Sequence, residues 1–412
     1  MIILIQKIFF IIMFAELMIA CFAGVLFGIF TGITPGIHIN LVCVFLLGAS
    51  HLLLQYFSPV ILASFIVAMS ITHTFLDILP SVFLGAPEEA TALIVLPGHK
   101  LLLQGLGFDA VKLTIIGSFF GLLLTIALSP ILMFLIKIIF RWIEGFIAFI
   151  LIAVIIYMII RDKRKISTII VVVFSGILGV IVLSKLHMKE PLLPLLSGLF
   201  GMSIMISGLS ESSKIPEQKR ESIFLRFKSL FLPTLNGVFA GFMTGFLPGM
   251  GASQGAIIAS QFDRKIDTNR FLITCGAIGT VNMVISLLAL YVINKARNGS
   301  VVAVSKLLEI NLREMLILFG VCLVAGGVAS ILSLKISRFF ARIITRINYK
   351  LLTLCIIFFI TIIVFCFSGL LGLVVLAVST FIGYFTSRLN IGRNHLMASL
   401  MVPVILYYFN II

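Results

Sequence analysis

The chain has 412 residues, 61% of them hydrophobic and only 11% charged. A soluble domain carries roughly 25% charged residues, so composition excludes a soluble globular protein and indicates an all-α polytopic membrane protein. The net charge of +15 resides in short loops between apolar runs, which fits the positive-inside bias and argues against nucleic acid as a partner.

In chain order, Ile8 to Thr31 approaches the ~20 apolar residues that cross a bilayer core. It carries Glu16, whose role is open, and no Ala-x-Ala-like cleavage site, so this run is expected to belong to the mature protein. It leads into Gly24-Val25-Leu26-Phe27-Gly28-Ile29-Phe30-Thr31-Gly32-Ile33-Thr34-Pro35-Gly36, and a second copy starts 213 residues later at Gly237 and ends in Pro248-Gly249. Seven of the thirteen positions are identical between the copies. A Pro-Gly break inside apolar sequence frees backbone N–H and C=O groups that side chains, water or a ligand must satisfy. A helix that restarts after the break points its positive end there and favours an anion. The candidate substrate-binding residues are therefore Thr31, Gly32, Pro35, Gly36, His38 and Asn40 in the first copy. In the second copy they are Thr244, Gly245, Pro248, Gly249, Gly251, Ser253 and Gln254. Close helix packing is the simpler account of Gly24, Gly28, Gly237 and Gly241, and the polar residues after the breaks could be plain caps; packing does not account for the paired Pro-Gly.

The next span, near 57–80, holds Ser70, Thr72, His73, Thr74 and Asp77. Positions 70, 73, 74 and 77 share a helix face, and an intramembrane Asp beside a His is a candidate for binding a coupling ion or a proton. A buried hydrogen-bonded pair that merely fixes packing is the alternative. The matching span of the second half offers Thr274, Gly279, Thr280, Asn282 and Ser286, polar and uncharged. Thr72, His73, Asp77 and Asn282 are the candidate coupling residues, with Na+ or H+ as the ion, and no metal or other cofactor is expected. After this span, Leu84 to Thr91 and the Leu96-Pro97-Gly98-His99-Lys100 turn bracket a run too short to span, which suggests a re-entrant or interfacial piece; the roles of Glu88 and Glu89 are open.

Further spans are expected near 113–136, 143–160, 166–183 and 191–208, then 271–293, 313–334, 351–366, 370–385 and 395–411. The hydrophilic stretch 211–228 divides the chain into a first repeat, 1–210 with a re-entrant hairpin at 8–50, and a second, 229–412 with a hairpin at 229–260. Five crossings per half is odd, so hairpins that return to their own side make the repeats inverted. That topology puts 21 Lys and Arg on the linker side and nine on the other, which makes the linker cytoplasmic in a multi-pass cell-membrane protein. Lys335, Arg338, Arg342, Arg346 and Lys350 form one charged face opposite Phe339, Phe340, Ile343 and Ile347, read as an interfacial helix. The six cysteines are scattered through apolar runs without a C-x-x-C pair and read as reduced, buried small hydrophobes.

Ile71 to Asp77, Phe83 to Glu89, the Leu96 to Lys100 turn and the paired Pro-Gly segments together resemble the TctA family, the large permease subunit of tripartite tricarboxylate transporters, and are most similar to its stand-alone archaeal branch. The resemblance covers essentially the whole chain. It implies secondary transport of organic anions, with cation coupling and accessory subunits in the bacterial members. The expected function is a secondary active transporter of a small carboxylate-like anion held between the two hairpin tips, with membrane lipid as its surroundings. Accessory subunits and a homo-oligomer remain open. A lipid-phosphate carrier or flippase is the alternative, and an intramembrane enzyme a weaker one. The chain lacks H-E-x-x-H and G-x-S-x-G, which leaves the enzyme only an unrecognised metal cluster of His38, His73, Asp77 and His99.

Overall fold

Apolar runs of this length can satisfy their backbone in lipid only as helices, and in the computed structural model every regular element among the described residues is a helix. It describes residues 2–34, 39–85, 90–188, 191–209, 216–219, 227–246, 251–262, 267–344 and 349–411. In order, the first half of the chain contains α1 (Ile2–Ile33), α2 (Ile39–Gly48), α3 (Ser50–Leu53), α4 (Pro59–Leu76), α5 (Val95–Leu103), α6 (Gly107–Ala127), α7 (Ser129–Ile143), α8 (Ile147–Arg161), α9 (Lys165–Val180), α10 (Leu192–Leu196) and α11 (Ser203–Leu209). The second contains α12 (Phe227–Phe246), α13 (Ala252–Phe262), α14 (Thr268–Ile293), α15 (Gly299–Leu307), α16 (Leu312–Ile344), α17 (Tyr349–Arg388) and α18 (Ala398–Tyr408). Among the described residues, eight helices are long and apolar enough to cross a membrane.

Local chemistry sets the helix ends. Pro59 opens α4, where its missing N–H costs nothing. The Asp267 carboxylate accepts from the Arg270 N–H at 2.8 Å and caps α14, and Asn298 does the same for Val301 at the start of α15. Beyond α4 the chain continues as a π-helical turn, Pro80–Leu84, because a proline cannot donate to the regular ladder. Gly85 at φ 66° ends it.

Glycines set how closely the helices approach. Along α1, a Cβ at Gly28 would stand 2.6 Å from Thr72 Cβ and one at Gly32 2.7 Å from Leu76 Cβ, while Gly24 lies against Phe65 and Ala68. Along α12, a Cβ at Gly241 would stand 2.6 Å from Val281 Cβ and one at Gly245 2.6 Å from Ile285 Cβ, while Gly237 lies against Thr274 and Ala277. Each step on the first helix is matched by an equal step on the second, so α1 runs in the same direction as α4 and α12 in the same direction as α14. The two packings also share one register. Residues 24, 28 and 32 correspond to 237, 241 and 245, and their neighbours 65, 68, 72 and 76 correspond to 274, 277, 281 and 285.

Helix α6 begins at Gly107 against Phe83 in the π-helical turn beyond α4, and its Leu122 meets Gly326 of α16 beside Ile71 and Phe75. It therefore runs back along α4. Gly117 of α6 lies on Ile273, and a Cβ at Gly121 would stand 3.0 Å from Ala277 and 3.2 Å from Val281, so α6 runs with α14. The main core lies among α1, α4, α6, α14 and α16. A second cluster joins Val171, Phe200, Met397 and Leu400. The large apolar residues left exposed, such as Leu26 and Phe30 on α1 or Phe358 and Phe381 on α17, suit a lipid-facing belt.

Several sequence expectations need correction. The single span near 113–136 is two helices, α6 and α7, because Pro130 restarts the chain after Leu128. Residues 335–344 do not form a separate interfacial helix. They extend α16, whose charged Lys335, Arg338 and Arg342 are exposed while Phe340 packs on Phe83 at 5.8 Å. The Leu96 to Lys100 stretch is not a turn but lies within α5, with Pro97 in its first turn, where no ladder bond is lost. The two expected spans 351–366 and 370–385 occur as helical stretches meeting at Gly369, whose φ 63°, ψ −162° is open only to glycine. Cys355 and Cys366 are exposed rather than buried, whereas Cys21, Cys43, Cys275 and Cys322 are buried.

Candidate functional site

Four residues before each Pro-Gly pair of the sequence stands a threonine, and the fold gives both threonines the same partner geometry. Thr31 donates to the Gly28 carbonyl at 3.3 Å and meets His73 Nδ1 at 3.1 Å. Thr244 donates to the Gly241 carbonyl at 3.3 Å and accepts from Asn282 Nδ2 at 3.0 Å. His73 and Asn282 occupy corresponding places in the shared register of α4 and α14. The same register aligns Asp77 with Ser286, whose hydroxyl lies 3.2 Å from the Gly245 carbonyl.

Thr31, Thr244, Thr72, His73 and Asp77 are all buried. Thr72 contacts Gly28 through Cβ, and its Oγ1 has no hydrogen-bond partner among the described residues. Asp77 caps α4, its N–H bonded to the His73 carbonyl at 2.9 Å. The Ser81 hydroxyl lies 3.2 Å from the Asp77 carbonyl and 2.7 Å from Thr91 Oγ1. Across the two halves, Thr74 and Thr280 meet at 3.0 Å, so α4 and α14 touch through hydroxyls within a residue or two of His73 and Asn282.

After the second Pro-Gly pair, Gly251 N–H donates to Gln254 Oε1 at 2.9 Å. Gln254 is buried, and its Nε2 has no hydrogen-bond partner among the described residues. Ser253 is buried beside it. Gly255 lies against Thr244, 2.7 Å from where its Cβ would stand, and Ala240, which folds α13 back on α12. Pro35, Gly36, His38, Pro248 and Gly249 lie outside the described residues, as does the Asn40 side chain on α2. Glu88 and Glu89 lie outside them too. His99, the fourth member of the conjectured metal cluster, lies with Nδ1 3.2 Å from the Val82 carbonyl. Among the described residues no group of three His, Cys, Asp or Glu could hold a metal ion.

Sequence reasoning missed a second polar cluster, built from residues far apart in the chain. His395 Nε2 lies 3.0 Å from Asp162 Oδ2, and Arg164 donates to the Leu389 carbonyl at 2.7 Å. Arg393 reaches Ser203 Oγ at 2.7 Å, at the end of the π-helical turn Ser197–Met202. The Arg164 N–H, and to a lesser degree His395, hold the Asp162 carboxyl below the usual carboxylate range. Burial keeps His395 below its ordinary value, with Asp162 opposing. Nothing local in the sequence marks these contacts. Asp109, in the first turn of α6 and 1% exposed, is a further buried acid that was not singled out.

Among the described residues every regular element is a helix and eight are candidate spans, an architecture that fits a multi-pass membrane permease. Residues 18–398 match the tripartite tricarboxylate transporter TctA family, and the chain belongs to that family. It is also 32% identical, over 398 residues covering 93% of this chain and 97% of the relative, to an uncharacterized protein of Methanocaldococcus jannaschii. No solved structure matches. The family is one of transporter permeases for carboxylate anions, not of enzymes.

Proposed function

We propose that the protein is a secondary active transporter that holds a small organic anion between the tips of two Pro-Gly hairpins and couples its movement to a cation. The observation that carries this reading is the duplicated threonine contact. Thr31 with His73 and Thr244 with Asn282 place matched polar pairs at the roots of both corners, where the freed backbone needs a partner.

The hairpins, α1–α2 and α12–α13, are supported by direction. α1 and α4 run the same way, so the chain between them must return to the side from which it came. The same holds for α12 and α14, with Gly255 of α13 lying back on Ala240. Inversion of the halves is supported by α6, which runs against α4 and with α14. If α4 and α14 are antiparallel and touch at Thr74 and Thr280, helical rise puts His73 and Asn282 within about 1.5 Å of one depth. The repeats are then 1–210 and 229–412, with the 211–228 linker on the basic, cytoplasmic side. His73 and Asp77, assisted by Thr72 and Asn282, serve the coupling ion, and Gly251, Ser253 and Gln254 offer donors to the anion.

The test is uptake of labelled citrate, succinate and acetate by the purified full chain in liposomes, under imposed Na+ or pH gradients. The reading expects concentrative uptake of at least one carboxylate, reduced by T31V and by T244V. Absence of gradient-driven uptake across the panel would reject it.

A further inference from the structure

We infer that this site selects a singly charged carboxylate over di- and tricarboxylates, with Gln254 Nε2 as a donor to that carboxylate; the inference rests on the transporter reading above. Helices α2 and α13 start at Ile39 and Ala252, 213 residues apart like the two motif copies. Gln254 is the third residue of α13, and its Oε1 reaches back to the Gly251 N–H at 2.9 Å, one half of a capping box. That bond holds the amide beside the first turn, whose N–H groups have no partners within the helix. The same amide carries two N–H donors on Nε2. Gln254 is 1% exposed, and Nε2 has no hydrogen-bond partner among the described residues. Leu41 holds the matching position in α2, so restarting a helix after the Pro-Gly pair does not require an amide there. A buried donor left unmade is expensive, and an acceptor oxygen on a ligand removes that cost.

The charge of the ligand follows from the sequence around the site. No Lys or Arg stands between Lys7 and Lys100, between Lys228 and Arg264, or between Arg270 and Lys295. Those stretches hold all of α2, α4 and α13, together with α1 after Lys7, α12 after Lys228 and α14 after Arg270. Arg270 is 12 residues before Asn282, about 18 Å by helical rise. On α16, Gly326 lies against Ile71 and Phe75, and the exposed Lys335 is nine residues further on, about 14 Å.

With the histidines neutral, the positive potential at the site comes from helix ends. Each helix N-terminus is equivalent to roughly +0.5 elementary charge, so α2 and α13 together balance about one negative charge. Asp77, the acid on α4, is offset by the coupling cation of the reading above. A second carboxylate on the solute then meets no counter-charge. An uncompensated charge at mid-membrane lowers affinity by about 100-fold.

The experiment compares monomethyl succinate, succinate and citrate, which carry one, two and three negative charges at about pH 7.5. Monomethyl succinate keeps the succinate carbon chain and caps one carboxylate, so charge changes with little change of shape. Binding to the full chain in lipid nanodiscs is read by titration calorimetry in Na+ buffer. Monomethyl succinate should bind about 100-fold tighter than succinate, with citrate weaker still. Succinate or citrate binding as tightly as the monoester would overturn the inference and leave the anion reading intact. Binding of none of the three would sink that reading, and the inference with it. Q254E isolates the donor, because its carboxylate still accepts from the Gly251 N–H and offers the ligand no hydrogen. This variant should keep the melting temperature of the unmodified chain and lose about tenfold or more in affinity for the monoester. Unchanged affinity would remove Gln254 from the site, and the three-probe comparison on the unmodified chain stands whether or not the variant folds.

Discussion

Gly245→Ala tests the contact on which the second half of the site depends. The added Cβ would stand 2.6 Å from Ile285 Cβ and 3.0 Å from the Asn282 carbonyl. Relaxed carbon contacts lie near 3.5–4.0 Å, so α12 and α14 must separate locally by about 1 Å, a strain of roughly 1–3 kcal/mol for an overpacked interface. The same displacement stretches the 3.0 Å Asn282–Thr244 bond out of hydrogen-bonding range, at a further cost of about 1 kcal/mol. Gly279→Ala is the control, because a Cβ at Gly279 meets nothing within 4 Å among the described residues and an alanine in a helix gains roughly 0.5–1 kcal/mol over glycine. Thermal unfolding can be followed by a thiol-reactive dye reporting on the four buried cysteines, with exposed Cys355 and Cys366 replaced by serine. At roughly 2–4 °C per kcal/mol for a mid-sized domain, and less for a longer chain, Gly245→Ala should melt several degrees lower and Gly279→Ala at or above the unmodified temperature. Equal melting of the two variants would refute the packing register of α12 on α14.

Asp77→Asn should abolish dependence of transport on the driving ion gradient while leaving the thiol-dye melting profile in place; ion-driven uptake equal to the unmodified chain would remove Asp77 from the coupling role. The His395–Asp162 contact makes stability pH-dependent with a defined sign. The folded chain holds His395 below its ordinary 6.5, so on acidification the unfolded chain takes up this proton first, and stability falls as pH drops from about 6.5 toward the lowered folded value. Asp162, also held low, adds its loss only below its ordinary 3.8. Melting measured from pH 7.5 to pH 5 should therefore decline less steeply in H395Q than in the unmodified chain, and identical slopes would exclude His395. Gln218 accepts from Gly107 N–H at 2.9 Å and donates to the Leu102 carbonyl at 3.1 Å, while Lys219 N–H pairs with the Gly105 carbonyl at 2.8 Å. Removing two such bonds, at about 1 kcal/mol each, should make Gln218→Ala at least several-fold faster to trypsin cleavage at Lys219, read by gel under native conditions.

Membrane class, helical content, most span positions and the paired motif were legible in the residues, because each depends on local apolarity or on repetition along the chain. The family was legible too, since its motifs are contiguous. Helix ends at proline were read less well. Pro97 reads as a turn and Pro130 as part of a continuous span, because a proline at a first turn and one at a break look alike until the neighbouring helices are in place. The candidate site was legible as separate pieces: Thr31 and Thr244 by duplication, His73 and Asp77 by their polarity in an apolar span.

Their partnerships were not legible. His73 lies 42 residues from Thr31, and Thr280 lies 206 from Thr74; only the depth at which one helix slides along another makes them neighbours. That depth is set where Gly28 and Gly241 let the backbones close onto Thr72 and Val281. The His395–Asp162 cluster spans 233 residues and depends in the same way on tertiary register. Composition and periodicity decide which faces are apolar and which residues carry charge. Which faces meet, and at what step, is decided by steric fit between helices, a property of pairs of surfaces that no single segment contains.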